Sequence, residues 1–456
     1  MGDARGKHWA QCPFPCLSAD GNHLLGAKDP VYLYASCRPV CPNVRQQFQM
    51  INNMTTETQA ITLVGMDAHS EKIALSLTRW QHGSDPEVLK DLTTTLNALE
   101  TTYARQVPLG SLTVLEASTN AFSIARRLEA IGQRVEILAS DTLAGRARAD
   151  RINDRIDARN LAFAYARGGT RKVHLPSEQH RQWRDVFFGY RNAVKDSVRC
   201  SNRIWGFCSG HGLKLPKSSF KRKVETVKAD VLSHGWTKEE SFHVEILLAE
   251  YTHALDIRDR YYARIAKTVA EQPEMTRLMQ ILGVRFIVAF ALAAFIEDIK
   301  RFKSPKKLVS YIGLNPTVLC SGKSEGPSCV SSYGRIDLKA LMVEAAQCAL
   351  RKGNDDMVKW ARRKVAGGKN RNVVICALAR KLVTRAWHIL MEHPVPNRDG
   401  EDCFKRKLVK LASTVGREHL TSLGFKKSAD YVETVCARLY PPLLTPELQT
   451  AAPASA

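Results

Sequence analysis

The pattern of apolar and polar positions changes character several times along the chain. Ile61-Thr62-Leu63-Val64-Gly65-Met66-Asp67 is a short apolar run that ends in an acid. Runs of this length bounded by turn residues predict strands. Lys72 to Leu77 alternates and predicts an antiparallel partner after a short turn. Pro86 to Arg105 predicts a helix, and Leu112 to Glu116 a second strand ending in an acid. Ala121 to Ile131 predicts a helix stopped by Gly132. Arg134 to Leu138 is another strand, and Leu143 to Ala166 a helix closed by Gly168-Gly169. Strands followed by strand–helix alternation predict an α/β domain with a mixed sheet.

The pattern then turns helical. Residues 177–271 predict two long, charged helices separated by a Gly- and Pro-bearing break from Gly206 to Pro216, with a coiled-coil-like arm as one option. The apolar spacing is too irregular for a strict heptad. A third unit, from about Met275 to His393, is helical with a loop from Gly313 to Arg335 rich in Gly, Ser and Pro. Its apolar stretch Phe286 to Ile296 is far short of the roughly 20 residues of a membrane span, and predicts a buried helix. From Pro394 the chain is basic early (Lys405-Arg406-Lys407) and ends Pro- and Ala-rich. Residues 1–57 show neither periodicity. They are expected to be a disordered or non-functional extension, with Met50 or Met54 as alternative starts. No apolar core follows Met1, so no signal peptide is expected. The expected division is 1–57, 58–170, 171–272, 273–393 and 394–456.

Charge sharpens the picture. Lys and Arg number 67 against 45 Asp and Glu, a net +22 over 456 residues. Counterion release rewards each phosphate such a chain neutralises, so the expected partner is nucleic acid. Basic clusters at Lys217–Lys223, Lys300–Lys307, Arg362–Lys364 and Lys405–Lys410 argue for an extended polyanion surface. Trp183, Tyr190, Trp205 and Trp360 lie near basic residues, where core packing is favoured over base stacking. Cys12, Cys16, Cys37 and Cys41 form two C-x3-C pairs crowded by prolines, which disfavours a zinc site. The scattered thiols elsewhere, such as Cys348, Cys376 and Cys436, point to a reducing cytoplasm, and cytoplasmic location is the expectation. No glycine-rich Lys-Ser/Thr phosphate loop is present, which argues against nucleoside triphosphate hydrolysis.

Acids carry the candidate chemistry. Asp67 and Glu116 end neighbouring apolar strands, and strand ends form the ligand crevice of open α/β sheets. Asp154 and Asp157 share one helix face at i, i+3 spacing. Four such carboxylates suit two hard cations, Mg2+ or Mn2+, which activate a nucleophile and stabilise the leaving oxygen of a phosphodiester. Arg146, Arg148, Arg151, Arg155 and Arg159 line the same region, either to hold a DNA backbone or to pair with the acids. The order Asp, Glu, Asp, Asp on this element pattern is that of ribonuclease-H-like, RuvC-like nucleases and resolvases.

Val64-Gly65-Met66-Asp67-Ala68-His69, Leu115-Glu116-Ala117-Ser118 and Asp154-Arg155-Ile156-Asp157-Ala158-Arg159 together resemble the acidic tetrad of the one-ten family of insertion-sequence transposases. These are DEDD, bridge-RNA-guided recombinases related to site-specific DNA invertases. Ile281-Leu282-Gly283-Val284, the segment Tyr311-Ile312-Gly313-Leu314-Asn315-Pro316 and Cys320-Ser321-Gly322 resemble that family's second domain. The resemblance implies metal binding by Asp67, Glu116, Asp154 and Asp157, and a nucleophilic Ser321 that forms a covalent phosphoserine link to DNA. It also implies a composite site between subunits of a dimer or tetramer, double-stranded DNA partners (element ends and target), and a structured guide RNA. No membrane partner is expected. The chain departs from the family pattern at Ser70-Glu71, Ile152-Asn153, Arg285 and Lys339. Ser324, Ser328, Ser331 and Ser332 share the Ser321 loop and stay open as alternatives. Two rival functions remain: a metal-dependent nuclease or junction resolvase in which water attacks, and a nucleic-acid-binding protein with a decayed site.

Overall fold

The structure, a computed structural model, describes residues 60–140, 153–168, 170–317, 320–321, 324–325, 329–331, 333–393 and 400–440. Residues 1–57 with their cysteine pairs, the first part of the helix expected from Leu143, Arg146, Arg148, Arg151, Ser328, Ser332 and the chain end lie outside the described residues. Two compact units emerge, Met1–Val173 and His174–Ala456.

In the first unit the strands are β1 (Ile61–Ala68), β2 (Lys72–Trp80), β3 (Glu87–Thr95), β4 (Leu112–Glu116), β5 (Arg134–Leu138) and β6 (Lys172–Val173). They form one sheet in the order β3-β2-β1-β4-β5-β6. The first three make an antiparallel meander. Strands β4 and β5 continue it in parallel, and β6 closes the edge antiparallel. Among the described residues of this unit the helices are α1 (Leu99–Gln106), α2 (Ala121–Ala130) and α3 (Asp154–Ala166). The mixed sheet expected from sequence is therefore present.

The helix expected over Pro86–Arg105 is corrected: its first half is edge strand β3, and only Leu99–Gln106 is helical. Val88 and the run Thr93-Thr94-Thr95 are β-branched and suit a pleated surface. Pairing with β2, from Lys72↔Thr95 to Arg79↔Glu87, overrides the weak helical spacing.

Side chains alternate between faces along a strand. Leu63, Gly65 and Asp67 therefore share one face of β1, and Leu112, Val114 and Glu116 the same face of β4. Leu63, Leu112, Val114 and Leu138 pack there with Leu161 and Ala162 of α3. The opposite face, with Val64, Met66 and Leu115, is buried as well. Gly65 sets the depth of the α3 contact: a Cβ added there would lie 1.8 Å from the Ala158 carbonyl oxygen. Only a glycine lets strand and helix backbones come this close.

The second unit is built around α8 (Phe286–Ile296), buried along nearly its whole length, as its apolar sequence predicts. The carbonyls at its C-terminus are capped by cationic and hydroxyl donors. Arg184 Nε donates to Ala294 (2.8 Å), Arg301 Nε to Ile296 (2.9 Å) and Tyr311 Oη to Phe295 (3.0 Å). Positive groups also suit the negative end of the helix dipole. The expected pair of long helices is α4 (Glu178–Gly210) and α6 (Lys238–Glu271), which pack antiparallel around a break that holds α5 (Val224–Leu232). Arg203 pairs with Glu250, and Tyr190 meets Tyr262. Around α8 also lie α7 (Pro273–Leu278), α9 (Pro305–Ile312), α10 (Ile336–Lys352), α11 (Asp356–Ala366) and α12 (Arg371–Leu390).

Beyond Pro394, the basic part of the tail is helical over residues 400–440. These fold as α13 (Glu401–Val415), α14 (Arg417–Ser422) and α15 (Ser428–Leu439), and Phe404, Leu408, Leu411, Leu420 and Tyr431 join the same core. Lys407, expected on a polyanion surface, is buried and donates to the carbonyls of Met279 (2.7 Å) and Ile281 (2.8 Å). Among the described residues no helix is long and apolar enough to cross a membrane.

Glu297, directly after α8, has φ 58° and ψ −105°, an uncommon conformation for a residue with a Cβ. Its carboxylate accepts from the Ser177 N–H (2.9 Å) and meets His174 Nε2 (2.8 Å), with His180 and Arg184 beside it. Burial alone would raise its pKa, but these donors and cations hold the carboxyl below its ordinary 4.5.

Two outcomes follow. Gly65→Val should lower the denaturant midpoint, at a cost of about 1–3 kcal/mol; an unchanged midpoint would show that the close approach is not needed. A depressed carboxyl lends stability above its ordinary value and loses it as pH falls through the lowered one. Glu297→Gln should therefore be less stable at neutral pH and lose less on acidification below 4.5, read from urea melts across pH 3–7.

Candidate functional site

The candidate site forms where β1, β4 and the first turn of α3 meet. Asp67 sits two residues beyond Gly65 on the face that α3 covers, and the β1–β4 register brings Met66 opposite Leu115, one step before Asp67 and Glu116. On α3, Ala158, Leu161 and Ala162 are buried, and Asp154 and Asp157 extend the same stripe into the first turn. Asn153 caps the helix, its side chain accepting from Arg155 N at 3.0 Å. Carboxylates in a first helical turn are favoured by the helix dipole.

Electrostatics record the convergence. Burial raises the Asp67 pKa first; His69 opposes this, and the charges of Asp157, Asp154 and Glu116 push it further up. The charges of Glu116, Asp154 and Asp157 thus all bear on Asp67. Among the described residues none of the four is ion-paired with a lysine or arginine. Arg159, next to the acids in sequence, pairs instead with Asp91 on β3, and the Arg155 charge also acts on Asp91. A cluster of oxygen donors with uncompensated negative charge is the donor set that hard divalent cations take. The residues present therefore fit such a cation.

His69 was missed by sequence reasoning. Its Nε2 lies 3.3 Å from Asp67 Oδ2 and 3.8 Å from Asp154 Oδ1. One ligand atom from each of Asp67, His69 and Asp154 falls within 4.8 Å of the others, so the three can share one metal ion. The only hint in the sequence is position: His69 follows the strand-ending acid at i+2, at the head of the β1–β2 turn.

Ser321 belongs to the second unit. The loop expected over Gly313–Arg335 contains two short β-ladders. Strand β7 (Pro316–Thr317) pairs with β10 (Cys329–Val330), and β8 (Cys320–Ser321) with β9 (Ser324–Glu325). Ser321 is opposite Ser324, with two residues between them, the spacing of a tight hairpin turn. The base of this hairpin is a glycine crossing. Gly313 and Gly334 both have positive φ, and a Cβ on Gly334 would lie 2.6 Å from the Gly313 Cα. Ser331 is buried at the base: its N–H donates to Asn315 O (3.0 Å), and its carbonyl accepts from the buried Lys339 amine (2.7 Å). Ser331 thus stands apart from the Ser321–Ser324 ladder. Burial pushes the Lys339 amine below its ordinary pKa. The tryptophans near basic residues make contacts within the fold: Trp183 packs on His180 and Phe290, Trp205 carries Lys217 over its ring, and Trp360 carries Lys381.

If the acids exist to hold a cation, removing one should relieve repulsion. Asp67→Asn is expected to raise the metal-free melting temperature and to abolish the rise that Mg2+ or Mn2+ gives the native protein. A variant that melts lower and still responds to metal would assign Asp67 a purely structural role.

Comparison with known proteins converges on one group. Residues 275–361 match the family model described as Transposase IS116/IS110/IS902 family; the segment runs from within α7 into α11 and includes Ser321. The transposase for insertion sequence element IS1328 of Yersinia enterocolitica is 22% identical over 289 residues, covering 62% of this chain and 85% of that protein. The transposase for insertion sequence element IS1111A of Coxiella burnetii is 24% identical over 242 residues, covering 52% of this chain and 66% of that protein. Through these matches the chain is similar to insertion-sequence transposases, and its residues 275–361 to the IS116/IS110/IS902 family.

Proposed function

We propose that this chain is a DNA transposase that cuts and rejoins strands with a metal-bound acidic tetrad and a serine nucleophile. The observation that carries the reading is the transposase match over residues 275–361, because that segment bears Ser321. The converging carboxylates supply the second part of the chemistry, and the meander extended by parallel strands, with acids ending β1 and β4 and opening α3, supports a ribonuclease-H-like catalytic domain.

In this reading Asp67, Glu116, Asp154 and Asp157 hold Mg2+ or Mn2+. Bound there, such a cation would offset phosphate charge and lower the cost of forming an alkoxide. Ser321 Oγ gives up its proton, attacks phosphorus and forms a phosphoserine ester as the phosphorus–oxygen bond to one deoxyribose breaks, and the departing oxygen takes up a proton to leave as a hydroxyl. Reversal by another strand's hydroxyl rejoins DNA without ATP, because the ester conserves the phosphodiester energy. The reading requires that the serine hairpin reach the carboxylates, from the same chain or from a neighbouring subunit. The long helices α4 and α6 are the proposed assembly arm, supported by Phe242 and Ile246, exposed by 64% and 47% at i, i+4 on α6. The net +22 and the exposed Lys300, Lys303, Lys306 and Lys307 support binding of DNA and of a structured guide RNA.

Trapping end-labelled DNA on the protein tests the serine. Ser321→Ala should lose the covalent adduct and strand rejoining while it keeps cation binding and its melting temperature. Cleavage that persists undiminished would transfer the attack to water and make the protein a nuclease or resolvase.

A further inference from the structure

We propose that His69 is a ligand of the cation held by Asp67 and Asp154, and that its imidazole tilts the site towards manganese(II) over magnesium. The inference rests on the metal reading above and adds to it the ligand set and the preference. Ligand atoms bound about 2.0–2.2 Å from one ion lie about 3.0–3.5 Å apart. His69 Nε2 is 3.3 Å from Asp67 Oδ2 and 3.8 Å from Asp154 Oδ1, close to that separation before any ion draws the groups in.

The backbone of His69 is held from two sides. Its N–H donates to the Lys72 carbonyl across the β1–β2 turn (3.0 Å). Its carbonyl accepts from Asn120 Nδ2 (3.3 Å), and the Asn120 side chain also accepts from Ser118 Oγ (2.8 Å). Ser118 follows Glu116 by two residues, so one hydrogen-bonded link joins the loop after β4 to the residue that carries the imidazole. These contacts fix the backbone from which the imidazole projects. The His69 side chain is 61% exposed, so the imidazole stands at the solvent edge of the cluster. Magnesium prefers oxygen and sheds water reluctantly, whereas first-row transition ions accept imidazole nitrogen more readily.

Pulsed electron paramagnetic resonance of Mn2+ on the full-length chain tests this, together with Mn2+ and Mg2+ affinities by competition. The native protein should show coupling to a directly bound nitrogen-14. His69→Ala should lose that coupling, and its Mn2+-to-Mg2+ affinity ratio should fall about tenfold. The His69 assignment is overturned if Mn2+ binds the native protein and is lost in Asp67→Asn, yet shows no nitrogen coupling, or if His69→Ala keeps both coupling and ratio. If the native protein binds neither ion, or Asp67→Asn binds as the native protein does, the metal reading itself fails and takes this proposal with it.

Discussion

The carboxylate cluster depends on one backbone contact. At Gly65 the strand β1 and the helix α3 approach until the Ala158 carbonyl occupies the space a Cβ would need. The hydrophobic face below, Leu63, Leu112, Val114 and Leu138 against Leu161 and Ala162, pulls the helix down. The missing side chain decides how far it comes. Two residues on from Gly65 is Asp67, and one residue before Ala158 is Asp157, so the contact that sets the packing distance also sets the distance between charges. Burial and like charge raise the Asp67 pKa there, a cost that packing elsewhere in the sheet must carry.

Where strand patterning was strong, the sequence was sufficient. Leu112–Glu116 and Arg134–Leu138 are strands with the expected ends, and the wholly apolar Phe286–Ile296 is the buried helix it resembles. The placement of Asp67, Glu116, Asp154 and Asp157 on their elements was legible because strand ends and an i, i+3 spacing are local properties. What escaped was non-local. Strand β3 exists because β2 offers a partner for Val88 and the threonine run, which no window on Pro86–Arg105 reports. His69 has ordinary turn neighbours, and its significance comes from Asp154, 85 positions away in sequence. Lys407 sits in a run of cations, where charge counting places it in solvent, while the fold uses its ammonium to satisfy two carbonyls.

The same logic separates the serines of the second unit. Sequence composition between Gly313 and Arg335 suggests an open loop, since Gly, Ser and Pro all favour turns. Strand pairing instead divides the segment into an outer ladder that carries Ser321 and Ser324 and an inner one closed by Gly313 and Gly334. Ser331 belongs to the closure, with its backbone committed on both sides. A lysine amine buried without its full hydration is a costly way to fix a carbonyl. Its use at Lys339 shows that the base of the hairpin is held firmly.

The Lys407 bonds have a consequence for how the polypeptide can be dissected. The segment that bears the transposase likeness, residues 275–361, is not a self-sufficient module. Its carbonyls at Met279 and Ile281 are bound, and part of its apolar surface is roofed, by helices that begin 40 residues downstream at Glu401. Excising it would bare a greasy flank that invites clumping. Genetic fusions or expression fragments that carry this lobe need its distal helical lid, through Leu439, to remain attached.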